Sequence, residues 1–353
     1  DINHVNLATV ARKAQDPNQR SPYIQQYNFG IQRELVKDLV FDISYMGNRG
    51  LKLPAFRNLN PNTYTFNAQG APVVGLRELD SLGLRGDIQI LENLGISNYN
   101  SLQTKLERRF SNGFTLLASY TYGKAFTDSV DHLSTSGAGN GVDVGEFKEP
   151  QDPKHRRLEY GPSEFDVTHR FVLSGVWRLP FGRGQSYGKN WSRGADLFLG
   201  GWEFSPIFTA QTGLPLTINQ SQTVNIGGER RSRPNRIANG TLPDSQRTVD
   251  RWFDTNAFVA LAATPGPGFF PNQIFGNSGV GILRGPGLVN LDFNLAKDFA
   301  IRERLSAQFR AEFFNALNHS NFGVPGVTIG AGFGQIVSAS DARIIQFALK
   351  LRF

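Results

Sequence analysis

The chain has 353 residues, enough for two average domains or for one large β-barrel. It contains no cysteine, which excludes disulfide frameworks, thiolate metal sites and cysteine nucleophiles, and no run of about 20 apolar residues, which excludes a membrane-spanning helix. The net charge of +7 permits an anionic partner, but neither the aromatic motif of an RNA-binding sheet nor a recognition helix accompanies it, so we expect no nucleic-acid partner.

The composition favours β-structure, with 28 phenylalanines and 38 glycines. About nine segments alternate apolar and polar side chains with a period of two residues, which predicts strands that each have one apolar face. In chain order the predicted strands are 27–32, 41–45, 102–107, 114–122, 170–179, 202–211, 289–296, 305–314 and 342–353. The last one, ARIIQFALKLRF, alternates as far as Phe353.

The links between the predicted strands alternate in length. Short links lie around 36–38, 111–113, 181–195 and 300–303, and long links span roughly 48–98, 128–166, 217–283 and 318–341. In an up-and-down sheet this alternation places all short turns at one edge and all long loops at the other. Long links without periodicity are uncommon in a compact soluble domain. We therefore favour an antiparallel up-and-down transmembrane β-barrel over a soluble β-sandwich.

Charged side chains on the apolar face test this prediction. Arg33, Arg108 and Lys297 fall on that face beside a short turn, and Arg343 lies beside a long loop, so none of the four is at mid-strand. An Arg or Lys would cost about 2–4 kcal/mol at the bilayer midplane but only about 0–1 kcal/mol near an interface. Outward rings also cluster at strand ends, as aromatic girdles do: Phe110, Phe114, Trp177, Trp202, Phe299 and Phe353 at the short turns, and Tyr27, Tyr45, Tyr122 and Phe313 at the long loops.

Four runs carry a family resemblance: QQYNFGIQREL, NYNSLQTKLERRFSNGFTLLASYTYGKAF, DVTHRFVLSGVWRLPFG and FRAEFFNALNHSNFG. In this order, and with the terminal Phe353, they resemble the C-terminal barrel region of TonB-dependent outer-membrane transporters, specifically the large Oar-like receptors. The resemblance covers most of the chain. It implies a bacterial outer-membrane location and a barrel of about 22 strands, with long extracellular loops and short periplasmic turns. On this interpretation 1–353 is the C-terminal part of the barrel, and the plug domain and N-terminal strands are missing.

The resemblance also implies function and partners. The parent protein would take up an unidentified substrate with energy from the TonB complex, which acts through the missing N-terminal region. Phe353 resembles the signal read by the barrel-assembly machinery, and outer-membrane lipid and lipopolysaccharide would surround the barrel. We expect no cofactor and no covalent catalysis. The main alternative is a passive porin-like channel, and further alternatives are an outer-membrane enzyme and a secreted adhesive sandwich.

Two groups of charged residues are candidates for function. Loop arginines in the run ERRSRPNR, and the run KHRR at 154–157, could hold an anionic ligand or lipopolysaccharide phosphates, although a solvated loop is the simpler interpretation. The loop candidates for substrate binding are Arg230, Arg231, Arg233 and Arg236. On the polar faces of the strands, the residues predicted to face the lumen are Lys105, Glu107, Gln308, Arg310, Glu312, Lys350 and Arg352.

Other patterns carry weaker signals. The five histidines show no HExxH pattern and no metal-ligand spacing, so we expect no metal site, and Asp128, Asp131 and His132 are best interpreted as part of a solvated loop. In DVTHR we favour a polar network that anchors the loop to the barrel rim, through Asp166, His169 and Arg170. The glycine-rich GAGNG and GAGFG lack GK[ST] and a following helix, which predicts flexible loop tips. No GxSxG elbow is present.

Overall fold

The computed structural model describes residues 8–111, 113–129, 150–227, 232–302 and 305–353. Within them the chain forms one α-helix, α1 (Arg193–Leu199), and short 3₁₀ turns at Asp80–Leu82, Arg156–Glu159, Asp244–Gln246 and Thr255–Ala257. The strands are β1 (Arg12–Gln15), β2 (Tyr23–Val36), β3 (Leu39–Asn58), β4 (Asn62–Phe66), β5 (Pro72–Arg77), β6 (Ile88–Ser111), β7 (Phe114–Thr127), β8 (Gly161–Pro162), β9 (His169–Arg178), β10 (Trp202–Gln211), β11 (Pro215–Leu216), β12 (Asn235–Arg236), β13 (Phe258–Val259), β14 (Leu283–Arg284), β15 (Leu288–Arg302), β16 (Leu305–Phe314) and β17 (Ile344–Arg352).

Nine strands form one antiparallel sheet in which neighbours in space are also successive along the chain. The order is β2-β3-β6-β7-β9-β10-β15-β16-β17, and β1 and β8 add to β6 and β7. These nine are the strands that the sequence predicts, so the up-and-down antiparallel architecture is confirmed. No pairing in the described part of the chain joins β2 to β17, and the sheet is open.

The register brings the apolar positions of all nine strands onto one surface. At one side of the sheet Phe29 lies opposite Tyr45, and Tyr45 lies opposite Leu102. At the other side Leu295 lies opposite Ala311, which lies opposite Phe347. Because side chains alternate between faces along a strand, the polar positions between these residues form the second surface. We call these the apolar face and the charged face.

Two strands extend well beyond their predicted bounds. β3 has 20 residues and β6 has 24, so the prediction of a link over 48–98 is wrong at both ends. At about 3.4 Å per residue β6 is roughly 80 Å long, whereas about 9–11 residues cross a bilayer. Register shifts at Gly50/Leu53 and Leu53/Ala55 interrupt the alternation here, which is why period-two counting misses it. The outer parts of β3 and β6, with β1, form a projecting ribbon.

The predicted alternation of short and long links is confirmed. The link between β2 and β3 is two residues, and Asp38 within it has φ of 67°. Gly113, next to the start of β7, has φ of 78°, a conformation that glycine adopts without steric cost. The link between β9 and β10 is longer and holds α1, whose first turn is capped by Ser192 Oγ accepting from Ala195 N at 3.2 Å. In the described residues no helix is long and apolar enough to cross a membrane.

The hydrophobic core lies in the long links, not in the sheet. Its buried members come from the β10–β15 link and its flanking short strands: Leu216, Ile218, Phe253, Ala257, Phe258 and Leu283. Phe333, from the β16–β17 link, packs edge-on against Phe253 with ring centroids 5.1 Å apart. The two links therefore fold together into a compact cap. GAGNG lies outside the described residues, but the prediction of a loose tip at GAGFG is wrong, because Phe333 packs against this core and Gly334 O accepts from Trp252 N at 2.9 Å.

Candidate functional site

The seven residues predicted to face the lumen share the charged face. Lys105 pairs with Glu107 at 3.2 Å, and Arg310 pairs with Glu312 at 2.6 Å, in each case two positions along one strand. Arg352 lies 3.7 Å from Asp298, while the register places Gln308 between Asp298 and Lys350. These pairs are partly exposed and contribute little to stability. Together they make this surface a wall suited to water.

Aromatic rings dominate the apolar face. Phe293 and Phe313 stack with centroids 4.5 Å apart, and Phe309 lies 6.1 Å from Phe347 on one side and 6.2 Å from Trp202 on the other. The rings form contacts across strands β10, β15, β16 and β17, and the register places Lys297 of β15 between Trp202 and Phe309. Ring pairs of this kind stabilise a sheet through cross-strand contact as well as apolar burial.

Tyrosines lie at the long-link end of the apolar face. The hydroxyls of Tyr27 and Tyr45 donate to Asn100 Oδ1, at 3.1 and 2.6 Å. Tyr120 Oη lies 2.8 Å from His169 Nδ1, and the His169 ring lies between Tyr120 and Tyr122. A ring with a polar tip suits a boundary between an apolar layer and water. Tyr27, Tyr45 and Tyr122 therefore lie where the sequence predicted them, on the apolar face near the long links.

Lys297 lies on the apolar face opposite Trp202, the first residue of β10, and its ammonium group is hydrogen-bonded. Only 4% of Lys297 is exposed, and its Nζ donates to the carbonyl oxygens of Asp196, at 3.2 Å, and Gly200. Nζ also lies over the rings of Trp202, at 5.7 Å, and Phe299, at 5.3 Å. The carbonyl end of a helix attracts positive charge, so α1 compensates this ammonium group.

A buried ion pair joins the cap to the β7–β9 link. Arg233 and Glu159 are 1% and 3% exposed, and Arg233 Nη1 donates to Glu159 Oε2 at 2.6 Å. Arg233 Nε donates to Ser278 O at 2.7 Å and Nη2 to Leu158 O at 3.2 Å. Gln151 N donates to the second carboxylate oxygen of Glu159 at 3.0 Å. Both charges are thus paired and hydrogen-bonded, as buried charges must be.

The loop arginines proposed for substrate binding occupy different environments. Arg233 is enclosed in the cap by the bonds just described. Arg236 is half-buried, and donates from Nε to Ala238 O at 3.0 Å and from Nη2 to Asn239 Oδ1 at 3.2 Å. Arg230 and Arg231 lie outside the described residues. The structure does not bring Arg233 and Arg236 together around a common cavity.

Asp166 anchors the cap to the rim of the sheet. It is 1% exposed, and its Oδ1 accepts from Ala125 N of β7 at 2.7 Å. Arg284 Nη2 pairs with its Oδ2, and Arg284 Nη1 donates to Asp166 O at 2.9 Å. The network favoured from the DVTHR sequence is confirmed for Asp166. Asp131 and His132 lie outside the described residues, whereas Asp128 is buried and pairs with Arg156 at 3.3 Å.

A cavity of about 350 Å³, here called the loop pocket, opens where the β3–β6, β7–β9 and β10–β15 links meet. Tyr64 and Phe275 line it and meet edge-to-face at 6.2 Å. Its polar lining includes Asp152, Glu78 and Lys154, with Lys154 Nζ 2.8 Å from Glu78 Oε1. Its remaining lining is Pro61, Asn62, Thr63, Pro153 and Ile226.

The charges of the loop pocket reinforce one another. The hydrogen bond from Lys154 to Glu78, and the attraction between the two charges, raise the pKa of Lys154 above its usual range. A raised pKa in the folded state stabilises the fold below the unfolded pKa of lysine, and this contribution is lost only as the pH rises through the folded pKa. Lys154 therefore stays charged at physiological pH. Asp152 accepts from Lys154 N at 2.8 Å and lies 2.6 Å from His155 Nδ1.

Aromatic walls beside one cation and two carboxylates suit a small polar molecule with a flat or apolar part. The sequence pointed to Lys154 through the basic run KHRR, but not to Tyr64 or Phe275, which come from distant links with no shared motif. In the described part of the chain no three His, Cys, Asp or Glu side chains are grouped as a metal site.

The sequence matches a family model described as "Outer membrane beta barrel domain" over residues 2–346. The chain belongs to this outer-membrane β-barrel family. The barrel domain is therefore located in the outer membrane. No curated protein matches the sequence.

Solved structures similar to the barrel domain are outer-membrane receptors and transporters. The outer membrane transporter YddB from Escherichia coli is 9% identical over 97% of this chain and 34% of its own, with a TM-score of 0.47. The siderophore receptor PirA from Acinetobacter baumannii is 9% identical over 95% and 32%, with a TM-score of 0.43. The pyoverdine receptor FpvA from Pseudomonas aeruginosa is 9% identical over 94% and 30%, with a TM-score of 0.41. The barrel domain spans about a third of these chains.

Replacing Arg233 with methionine in the barrel domain leaves the Glu159 carboxylate buried without its partner. We expect Arg233→Met to lower the free energy of cap opening by about 3–5 kcal/mol. The rate of thermolysin cleavage of the cap under native conditions measures this free energy. The double variant Arg233→Met, Glu159→Met removes both charges and should recover most of the loss.

Arg251→Met is the matched control, because the Arg251–Asp254 pair is half exposed. It should cost less than about 1 kcal/mol. Equal cleavage rates for the Arg233→Met and Arg251→Met proteins would show that the buried pair does not hold the cap closed.

Proposed function

We propose that the chain is the C-terminal part of the barrel of a TonB-dependent outer-membrane transporter, which imports an unidentified substrate with energy from the TonB complex. The observation that carries the proposal is the order of the four resembling motifs. They fall in β2, in the β6–β7 hairpin, in β9 and in β16, all within one sheet. The barrel would perform no covalent catalysis, since the work is supplied by the partner.

The two edges of the sheet support the proposal that further strands complete the barrel. β2 and β17 each pair on one side only in the described part of the chain. An unpaired backbone N–H or C=O group costs several kcal/mol in hydrocarbon, so an open edge is not stable there. Additional strands of the same protein would satisfy both edges. The domain assignment of 1–353 to the C-terminal part of the barrel follows from this proposal.

The two faces of the sheet support an assignment of surroundings. The apolar face, with its stacked rings, would contact acyl chains and lipopolysaccharide, and the charged face would contact water or a plug inside the barrel. Phe353 is 96% exposed at the end of the last strand. It is available to the barrel-assembly machinery, which we propose as its reader.

The loop pocket is our proposed site of first contact with the substrate. It lies at the long-link side of the sheet, which in this orientation is extracellular. The buried Arg233–Glu159 pair and the Asp166–Arg284 pair hold one wall of this region to the barrel rim. A fixed cap lowers the entropy lost when a ligand binds, because its walls are already in position.

A charge at the middle of the apolar face tests the assignment of faces. We expect Phe347→Arg to destabilise the full-length protein in lipid vesicles by about 2–4 kcal/mol, since Phe347 lies at the middle of β17 and opposite Ala311. Gln346→Arg, one residue away on the charged face, should cost far less. Urea titration of the heat-modifiable gel band compares the two. A larger effect for Gln346→Arg would reverse the assignment of the faces.

Energy coupling is tested by recording the full-length protein in planar bilayers. A transporter closed by a plug should give nearly no current and should bind the purified C-terminal domain of TonB. A large steady current without TonB binding would instead identify a passive porin-like channel. Urea that unfolds the plug should open a silent transporter and leave the current of a porin unchanged.

A further inference from the structure

The link between β9 and β10, residues 179–201, differs from the other links at its end of the sheet. The links at 37–38, 112–113 and 303–304 have two residues each. This one is long enough to hold α1 and a separate turn, in which Phe181 pairs with Tyr187 through a single bridge. We call it the turn-helix segment.

The turn-helix segment folds onto the outer side of the sheet. Trp202 Nε1 donates to Phe198 O at 2.9 Å, and Lys297 Nζ donates to Asp196 O and Gly200 O. Trp202 and Lys297 lie opposite each other in the register, on the apolar face. Two side chains of the apolar face thus bind the backbone of α1, which places the helix on the same side of the sheet as the stacked rings.

The turn-helix segment exposes large apolar side chains. Leu197, Phe198 and Leu199 are 50%, 72% and 58% exposed, and Tyr187 is 62% exposed. Phe181, 40% exposed, lies 5.7 Å from Tyr187. Three consecutive exposed apolar residues at the end of a helix are unfavourable in water. They are continuous with the apolar face, through Trp202.

Basic residues accompany these apolar side chains. Arg183, Lys189 and Arg193 are exposed, and Asp196 is the one acidic residue of the segment. Asp196 Oδ1 already accepts from Arg183 N at 2.7 Å. With three basic residues and one acidic residue, the turn-helix segment has a positive net charge. Exposed apolar side chains beside exposed Lys and Arg are the pattern of a helix that lies in the interface of an anionic membrane.

We propose that the turn-helix segment is an anionic-phospholipid site in the periplasmic leaflet of the outer membrane. Leu197, Phe198 and Leu199 enter the acyl region, while Arg183, Lys189 and Arg193 contact headgroup phosphates. This inference rests on the proposed orientation, in which the short links are periplasmic. The occupant is phospholipid and not lipopolysaccharide, because lipopolysaccharide would lie beside the long links at the opposite end.

A fluorescent label at position 198 tests the proposal in the full-length protein. The chain has no cysteine of its own, so within it Phe198→Cys gives one labelling site. The protein is reconstituted in phosphatidylcholine vesicles containing brominated phosphatidylglycerol or brominated phosphatidylcholine. We expect the label to be quenched, with brominated phosphatidylglycerol favoured at least about 5-fold. Leu82→Cys, in a long link and 71% exposed, is the matched control and should not be quenched.

Removal of the three positive charges separates lipid selectivity from simple insertion. In the triple variant Arg183→Gln, Lys189→Gln, Arg193→Gln the preference for phosphatidylglycerol should fall to near unity. The control is the triple variant Arg20→Gln, Arg157→Gln, Arg343→Gln, which removes three exposed arginines at the other end of the sheet and should keep the preference. A label at 198 that stays unquenched would overturn the proposal, as would equal quenching by both lipids in the unaltered protein. Heat-modifiable migration confirms folding of each variant. A porin with the same turn-helix segment would give the same quenching, so this experiment does not test TonB coupling. The planar bilayer recordings test TonB coupling independently.

Discussion

Continuous antiparallel pairing from β2 to β17 is the constraint on which the rest of the structure depends. Because side chains alternate along a strand, a slip of one residue between neighbours would exchange their faces. The register shifts of the short-turn hairpins occur next to the turns, at Glu34/Val36, Arg108/Ser111 and Ala300/Arg302. Between these points and the projecting ribbon the pairing is regular. In this regular part a charged side chain on the apolar face would destabilise the protein most.

The alternation in the sequence was enough to predict the nine strands, their order and their faces, because each strand carries its own period-two signal. The cap was not predictable in this way. Phe253 and Phe333 belong to different links, and nothing in either link shows that the two rings meet. Arg233 looked like part of a solvated basic run. Its burial depends on Glu159, which lies in the preceding long link.

For Lys297 the sequence predicted the face on which the side chain lies, but not the hydrogen bonds of its ammonium group. The sequence placed this lysine on the apolar face beside a short turn, and the structure confirms the face but places Lys297 opposite Phe309, several residue pairs before the end of β15. What the pattern did not show is the reason that the position is tolerated. The carbonyl groups that accept from the ammonium belong to α1 and its C-cap Gly200, in a link for which the sequence predicted only a short length. The loop pocket was unpredictable for the same reason, since Tyr64 of the β4–β5 hairpin and Phe275 of the β10–β15 link meet only in the folded structure.

The projecting ribbon has a consequence for how the long links are oriented. Its two register shifts cancel: beyond them Ala55 pairs with Glu92 and Asn58 with Gln89, in the same phase as Leu39 with Arg108 nearer the turn. The outer parts of β3 and β6 therefore keep the pairing phase that they have nearer the turn. The orientation of β6 in the membrane then determines the orientation of β1 and of the β4–β5 hairpin. An insertion of an odd number of residues in the outer part of β6 would exchange the two faces of the strand beyond it. An insertion at the tip of the β4–β5 hairpin, around Gln69, would leave the pairing of β3 with β6 unchanged.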